Sequence, residues 1–216
     1  TSALTSLVAD PEAPLALGWL LDSAQATRLL LQYARPPAEV EPPSFVDLIE
    51  AQRTQTPDAV ALSFEGQAVT YAALGADSDR IAWAVRRALP EGGRVLVHLD
   101  EGPRYIAALL AAAKAGATWV CTTPGTPPRR LAQIADEARP SLVITETATV
   151  GELQAAHEHA SMGWDQLPMV DIDNLPAVVQ RPVDAAVHRG QPIYVVYTSG
   201  TTGRPKGIVQ SRRSFD

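Results

Sequence analysis

The chain has 216 residues, room for one large α/β domain or two small ones and too little for a multidomain assembly. With 46% apolar and 19% charged residues it is too apolar to be disordered. Its net charge of −6 and pI near 5.2 argue against a nucleic-acid binder that works by phosphate neutralisation.

Cys121 is the single cysteine, which excludes an internal disulfide and a multi-cysteine metal site and points to a reducing, cytoplasmic compartment. No run of about 18 uncharged apolar residues, the length a membrane span needs, occurs. The longest candidate, Tyr105 to Cys121, is Ala-rich and carries Lys114, so it reads as a buried helix and strand. The first basic residue is Arg28, which speaks against a secretory signal. With Thr1 in place of Met, the chain is expected to be a piece of something longer. Sixteen arginines stand against two lysines, Lys114 and Lys206; coding bias accounts for the arginines, and the places of the lysines are informative.

Residues 1–43 form a Pro-rich linker with one short helix, Ala24 to Tyr33, capped by Asp22-Ser23. From Ser44 the pattern tightens. Ser44-Phe45-Val46-Asp47 has the form of a capping box, with Phe45, Leu48 and Ile49 on one apolar face. Ala59 to Phe64 and Gln67 to Thr70 predict a hairpin around Glu65-Gly66, and Thr70 then caps a helix to about Leu89.

A βα rhythm follows. Strands are expected at Arg94 to Leu99, Thr118 to Cys121, Leu142 to Thr145, Met169 to Ile172 and Ile193 to Tyr197. Helices are expected from Pro103 to Lys114, stopped by Gly116, then at Pro128 to Glu137 and Val150 to Ala160. This alternation predicts an α/β fold: a mostly parallel sheet with helices on both faces.

The informative segment is Tyr194-Val-Val-Tyr197-Thr198-Ser199-Gly200-Thr201-Thr202-Gly203-Arg204-Pro205-Lys206-Gly207. An apolar strand enters six consecutive hydroxyl or glycine residues, followed by basic residues. That chemistry suits a polyphosphate: small residues admit backbone N–H groups to the oxygens, hydroxyls add donors, and Lys206 and Arg204 supply positive charge. A plain surface turn between two strands would waste four hydroxyls. A Walker loop fails on Pro205 and Gly207, and Ile208-Val209-Gln210 reads as a strand where a Walker loop needs a helix. A dinucleotide fingerprint is absent.

Thr198 to Gly207 resembles the phosphate-loop signature of the adenylate-forming, AMP-binding superfamily. Upstream, Phe45 to Gln52 with Thr56 to Leu62 resembles the opening of a nonribosomal peptide synthetase adenylation domain. Val69 to Leu74 and Leu110 to Val120 resemble its first two core motifs, and residues 1–43 resemble the linker from a condensation domain. The resemblance implies that residues 44–216 are the N-terminal part of an adenylation domain, truncated after the glycine-rich loop. It implies ATP-dependent formation of an aminoacyl-AMP and transfer to the phosphopantetheine thiol of a carrier protein, with a condensation domain in the same assembly line and no nucleic acid or membrane partner.

The residues that carry over to the ATP phosphates, which the family's loop holds with Mg2+, are Thr198, Ser199, Gly200, Thr201, Thr202, Gly203 and Lys206, with Thr201, Thr202 and Lys206 foremost; no residue is assigned as a metal ligand. The family's catalytic lysine falls beyond Asp216, as do the segments that line its substrate pocket, so this piece is expected to be inactive alone. Two departures stand out. Cys121-Thr122-Thr123-Pro124 replaces a Pro-Leu-Asp-Pro-like stretch, and Arg212 stands where the family has a histidine. The alternatives are an acyl-CoA or acyl-AMP ligase of the same superfamily, or a degenerate, non-catalytic docking module.

Other residues read as structural. His157 and His159 lie two apart on a helix and cannot readily chelate one ion. His98 and His188 have no partners visible in sequence. Cys121 reads as a buried small hydrophobe. Asp171-x-Asp173 reads as a loop cap rather than a magnesium site. The arginine pairs at 86–87, 129–130 and 212–213 read as solvated faces.

Overall fold

The computed structural model describes residues 43–164, 167–177, 191–199 and 205–212, together with positions 24, 27 and 28. The chain divides into two units, Thr1–Pro42 and Pro43–Asp216. In the first, positions 24, 27 and 28 are helical; the rest of the helix expected at 24–33 lies outside the described residues. The second unit is described below.

It opens with α1 (Phe45–Gln55), where the capping box is complete: Ser44 Oγ accepts the Asp47 N–H at 3.2 Å, and Asp47 Oδ2 accepts the Ser44 N–H at 2.9 Å. Its buried side is set by Val46, with Phe45 and Ile49 packed against the core, whereas Leu48 is 56% exposed and falls outside the expected face. Next come β1 (Val60–Phe64) and β2 (Gln67–Thr70), an antiparallel hairpin. Its two-residue turn holds Glu65 at φ 50° and Gly66 at φ 80°, the double positive φ that matches the twist of the flanking strands.

Thr70 then caps α2 (Tyr71–Ala88), its hydroxyl accepting the Ala73 N–H at 3.2 Å, and Leu74, Ile81 and Val85 turn inward. After β3 (Arg94–His98), α3 (Pro103–Lys114) starts on a proline and ends in a Schellman motif. There Ala117 N–H bonds Ala112 O at 2.9 Å and Gly116, at φ 72°, bonds Ala113 O at 3.1 Å. The remaining elements are β4 (Thr118–Thr122), α4 (Pro128–Ala138), β5 (Leu142–Thr145), α5 (Val150–His157), β6 (Met169–Asp171), β7 (Pro192–Ser199) and β8 (Pro205–Ser211). Among the described residues, no helix is long and apolar enough to cross a membrane.

Six strands form one sheet in the order β6-β5-β3-β4-β7-β8. All neighbours are parallel except β7 and β8. Alternation along the central strands separates two cores, as a sheet covered on both faces requires. Val95, Val97, Trp119, Leu142 and Ile144 face α2 and α3. Leu96, Val120 and Val143 face Leu131 and Ile134 of α4 and Leu153 of α5.

The expected burial of Tyr105 to Cys121 holds, and it includes Lys114. The Lys114 Nζ reaches Glu50 Oε1 at 2.6 Å, Asp79 Oδ1 at 2.7 Å and Ser78 Oγ at 2.8 Å, joining α1, α2 and α3. Arg53 Nη1 holds the other oxygen of Asp79 at 2.7 Å. Gly75 makes this possible, because a Cβ there would overlap the Arg53 side chain. Burial pushes the Asp79 carboxyl up, but hydrogen bonds from Lys114 and Arg53 outweigh it and hold the group below its ordinary value.

Candidate functional site

The parallel strands all point their carboxyl ends to one edge, and the chain order reverses at β3, which lies between β4 and β5. The crevice outside the carboxyl ends at such a reversal is where open α/β sheets bind ligands. Several polar side chains of the second unit gather on this edge.

The glycine-rich segment emerges here. Thr198 and Ser199 are the last residues of β7, and the antiparallel register sets Thr198 opposite Lys206 and Ser199 opposite Pro205. Gly200, Thr201, Thr202, Gly203 and Arg204 lie outside the described residues; they are the stretch that joins the two strands. Val195 pairs with Val120 of β4, and β7 continues four residues past that pair where β4 continues two. The β7–β8 pair therefore extends roughly 7 Å beyond the end of β4. Gly207 keeps its base tight, since a Cβ there would meet Val195 Cγ1 at 3.0 Å and the Tyr197 ring at 3.1 Å. The Lys206 side chain is exposed.

Beside it, three neighbouring strands end in a bonded cluster. His98, the last residue of β3, is 0% exposed, and its Nδ1 lies 2.9 Å from Thr122 Oγ1 at the end of β4. Its Nε2 lies 3.4 Å from Glu152 Oε2 on α5, longer than a good hydrogen bond. That same carboxylate oxygen accepts the Gly125 N–H at 2.8 Å. Thr145, ending β5, donates to the His98 carbonyl at 3.3 Å and lies 2.7 Å from Thr149 Oγ1. Desolvation lowers the His98 pKa from its ordinary value, with Glu152 and Asp100 opposing it, so the ring is held toward its neutral form. Sequence reasoning gave His98 no partner. The one available signal was that His98, Thr122 and Thr145 each close an expected strand of the same parallel sheet.

The Cys121–Thr123 departure thus has local partners. Thr122 bonds His98, and Cys121 bonds Tyr105, its thiol pushed up to about 11 mainly by burial, which keeps it protonated and unreactive. Arg212, the second departure, overturns its half of the expected solvated 212–213 pair; Arg213 lies outside the described residues. Arg212 is 4% exposed, and its Nη2 donates to Ala113 O at 2.7 Å, a cation at the carbonyl end of α3.

Asp171 caps the turn after β6: its carboxylate accepts the Asp173 N–H at 3.0 Å, the Thr147 hydroxyl at 2.6 Å and the Asn174 amide at 2.7 Å. Asp173 pairs with Arg104 and accepts the Thr147 N–H at 2.9 Å. His157 and His159 are both exposed, and His188 lies outside the described residues. Among the described residues, no group of three His, Cys, Asp or Glu side chains is placed to hold a metal ion.

Known proteins resemble this chain in sequence and in fold. CymA of Salinispora arenicola, described as a probable non-canonical nonribosomal peptide synthetase, is 35% identical over 209 residues, 95% of this chain and 3% of its own length. The alpha-methyl-L-serine-AMP-bound peptide synthetase FmoA3 superposes with a TM-score of 0.63 at 27% identity, over 81% of this chain and 19% of that one. The N-terminal subdomain of NpsA from Klebsiella oxytoca shares the fold with a TM-score of 0.64 at 23% identity, covering 79% of this chain and 42% of that one. The chain therefore spans only a small part of the curated relatives it matches. Residues 49–215, from within α1 to beyond the β7–β8 pair, match the family described as AMP-binding enzyme, and the chain belongs to that family.

Proposed function

We propose that residues 44–216 are the N-terminal part of a nonribosomal peptide synthetase adenylation domain, and that residues 1–43 are the linker from a condensation domain. In this reading the complete domain works in the cytoplasm on an amino acid and ATP. A carboxylate oxygen attacks the α-phosphorus, the bond to the bridging oxygen breaks, and pyrophosphate leaves. The phosphopantetheine thiol of a carrier protein then attacks the acyl carbon, losing its proton as AMP departs. The observation that supports the reading is that β7 and β8, the strands the glycine-rich stretch connects, pair antiparallel at the carboxyl edge of the sheet, with Thr198 opposite an exposed Lys206.

Thr198, Ser199, Gly200, Thr201, Thr202, Gly203 and Lys206 are assigned to the β- and γ-phosphates. Substitution at phosphorus needs little covalent help from protein and much positioning and charge stabilisation, which backbone N–H groups, hydroxyls and one ammonium supply. Mg2+ adds charge neutralisation when the nucleotide is bound. Residues 198–206 carry hydroxyls and no carboxylate, which fits a metal held mainly by the phosphates themselves.

Titration calorimetry of residues 1–216 with ATP and with pyrophosphate tests the assignment. Lys206→Ala and the Thr201→Ala/Thr202→Ala pair are each expected to weaken binding about tenfold, or ~1.4 kcal/mol. Unchanged affinity in both would remove the phosphate role. The chain alone is expected to bind without turnover, so amino-acid-dependent ATP–pyrophosphate exchange by residues 1–216 would overturn that part.

A further inference from the structure

The small hairpin has no role in the reading above, yet one side of it is open. β1 pairs with β2 alone, and no described residue bonds the outward N–H and C=O groups of Val60 to Phe64. An edge of that kind is a template for a further strand. Beside it runs a groove of about 280 Å3, walled by Leu62, Ser63 and Phe64 on one side and by Pro103, Tyr105 and Ile106 of α3 on the other. Successive strand residues point to opposite faces, so a groove that meets all three residues of β1 follows the edge of the strand. Phe64 is 40% exposed and Ile106 38%, which gives the groove two large apolar side chains. The Phe64 ring lies against the turn before α3, where a Cβ on Gly102 would stand 3.5 Å from it.

Past Phe64 the groove opens into an acidic pocket lined by Glu65, Asp100, Glu101 and Thr123. All three carboxylates are exposed, and none makes an ion pair with a described residue. Arg104, the basic residue on the first turn of α3, is already committed to Glu146 and Asp173. The positive end of the α3 dipole amounts to about half a unit charge, too little to balance three carboxylates.

We propose that this groove is a docking site for an extended protein segment with a basic end. The segment adds as a strand to the outer edge of β1 and seats apolar side chains between β1 and α3. Its Arg or Lys residues then meet Glu65, Asp100 and Glu101. Main-chain bonds along a free edge supply affinity, and the pockets for alternate side chains supply specificity. The apolar part draws on burial of Phe64 and Ile106. The charges lie at one end only, so they fix which end of the segment is basic and speed its encounter with the groove. Nothing in this inference depends on the phosphate reading of the glycine-rich stretch.

The test titrates the whole isotope-labelled chain with the peptide acetyl-Val-Thr-Val-Arg-Arg-amide and with its charge opposite, acetyl-Val-Thr-Val-Glu-Glu-amide, following backbone amides by NMR. The basic peptide is expected to shift the amides of Leu62, Ser63, Phe64 and Ile106, with an affinity that falls as salt rises. The acidic one is expected to leave them in place. Ile106→Ser removes apolar wall at an exposed position and is expected to weaken binding about fivefold, with an unchanged unfolding midpoint. Glu65→Gln combined with Glu101→Gln is expected to weaken it about as much and to flatten the salt dependence. No binding of the basic peptide, equal binding of both peptides, shifts confined to other residues, or native affinity in either variant overturns the proposal. A native chain that sediments as a dimer while Ile106→Ser sediments as a monomer would put a second copy in the groove, and overturn it too.

Discussion

The two lysines divide the molecule into regions of opposite logic. Lys114 ends α3 with a side chain 3% exposed, held by Glu50, Asp79 and Ser78 where three helices meet. Lys206 is the second residue of β8, exposed, with no ion pair to any described residue. The first cation is committed to its own fold: charge buried at a helix junction must be paired, or the junction opens. The second has its charge presented at the edge where ligands bind in open α/β sheets. In a chain with so few lysines, the surroundings of each decide whether it is structure or recognition.

The sharpest way to break this contrast is Lys114→Met. It leaves the Glu50 and Asp79 carboxylates beside each other with Arg53 as their shared cation, 3.5 Å from Glu50 and 2.7 Å from Asp79. Removing one partner of a buried pair costs about 3–5 kcal/mol, a large share of the 5–15 kcal/mol typical of a domain. Urea unfolding should show the loss directly. Adding Asp79→Leu removes the surplus negative charge and leaves Arg53 with Glu50, so the double variant is expected to recover most of it. A Lys114→Met chain as stable as the native one would deny the cation its structural role.

Acid separates the regions less severely, and in sequence. His98 has its pKa lowered from the ordinary 6.5, so the fold favours the neutral ring. Its contribution is full above 6.5 and is lost as pH falls through the lower folded value. Asp79 is lowered from 3.8, so its contribution is full above 3.8 and fails only in stronger acid. Hydrogen exchange should therefore quicken first around Gly125 and Thr122 at the carboxyl edge, and later around Ser78 and Asp79. Simultaneous loss of protection in both places would show that one unit, not two, responds to acid.

What the sequence made legible follows the same division. Local rules fixed the frame: Ser44 and Thr70 as caps, Pro103 at a helix start, Gly116 at its stop, Glu65-Gly66 as a turn, and β-branched runs as strands. Each depends on residues a few positions apart, and from Ser44 onward the expected elements lie within a few residues of their places among the described residues. The glycine-rich segment was legible for the same reason, since its chemistry is contiguous. Long-range partners were not. Nothing in local pattern joins His98 to Glu152, Lys114 to Glu50, or Arg212 to Ala113, because those meetings are made by strand order and helix packing. Leu48 shows the complementary miss. Helical periodicity gives a face, but the depth of each residue on it depends on what packs there.

The smallest expected effect closes the contrast from the other side. Lys206→Ala removes an exposed side chain that makes no ion pair among the described residues, so its cost in stability should lie within about 0.5 kcal/mol. Backbone pairing of Lys206 with Thr198 does not depend on the side chain, and alanine leaves the β7–β8 register intact. Urea unfolding should place its midpoint on that of the native chain, while pyrophosphate affinity falls as stated above. The two readouts must part company for a recognition lysine. If stability fell by as much as binding, Lys206 would belong with Lys114 as a structural cation, and the weakened binding would report only a loosened pair of strands.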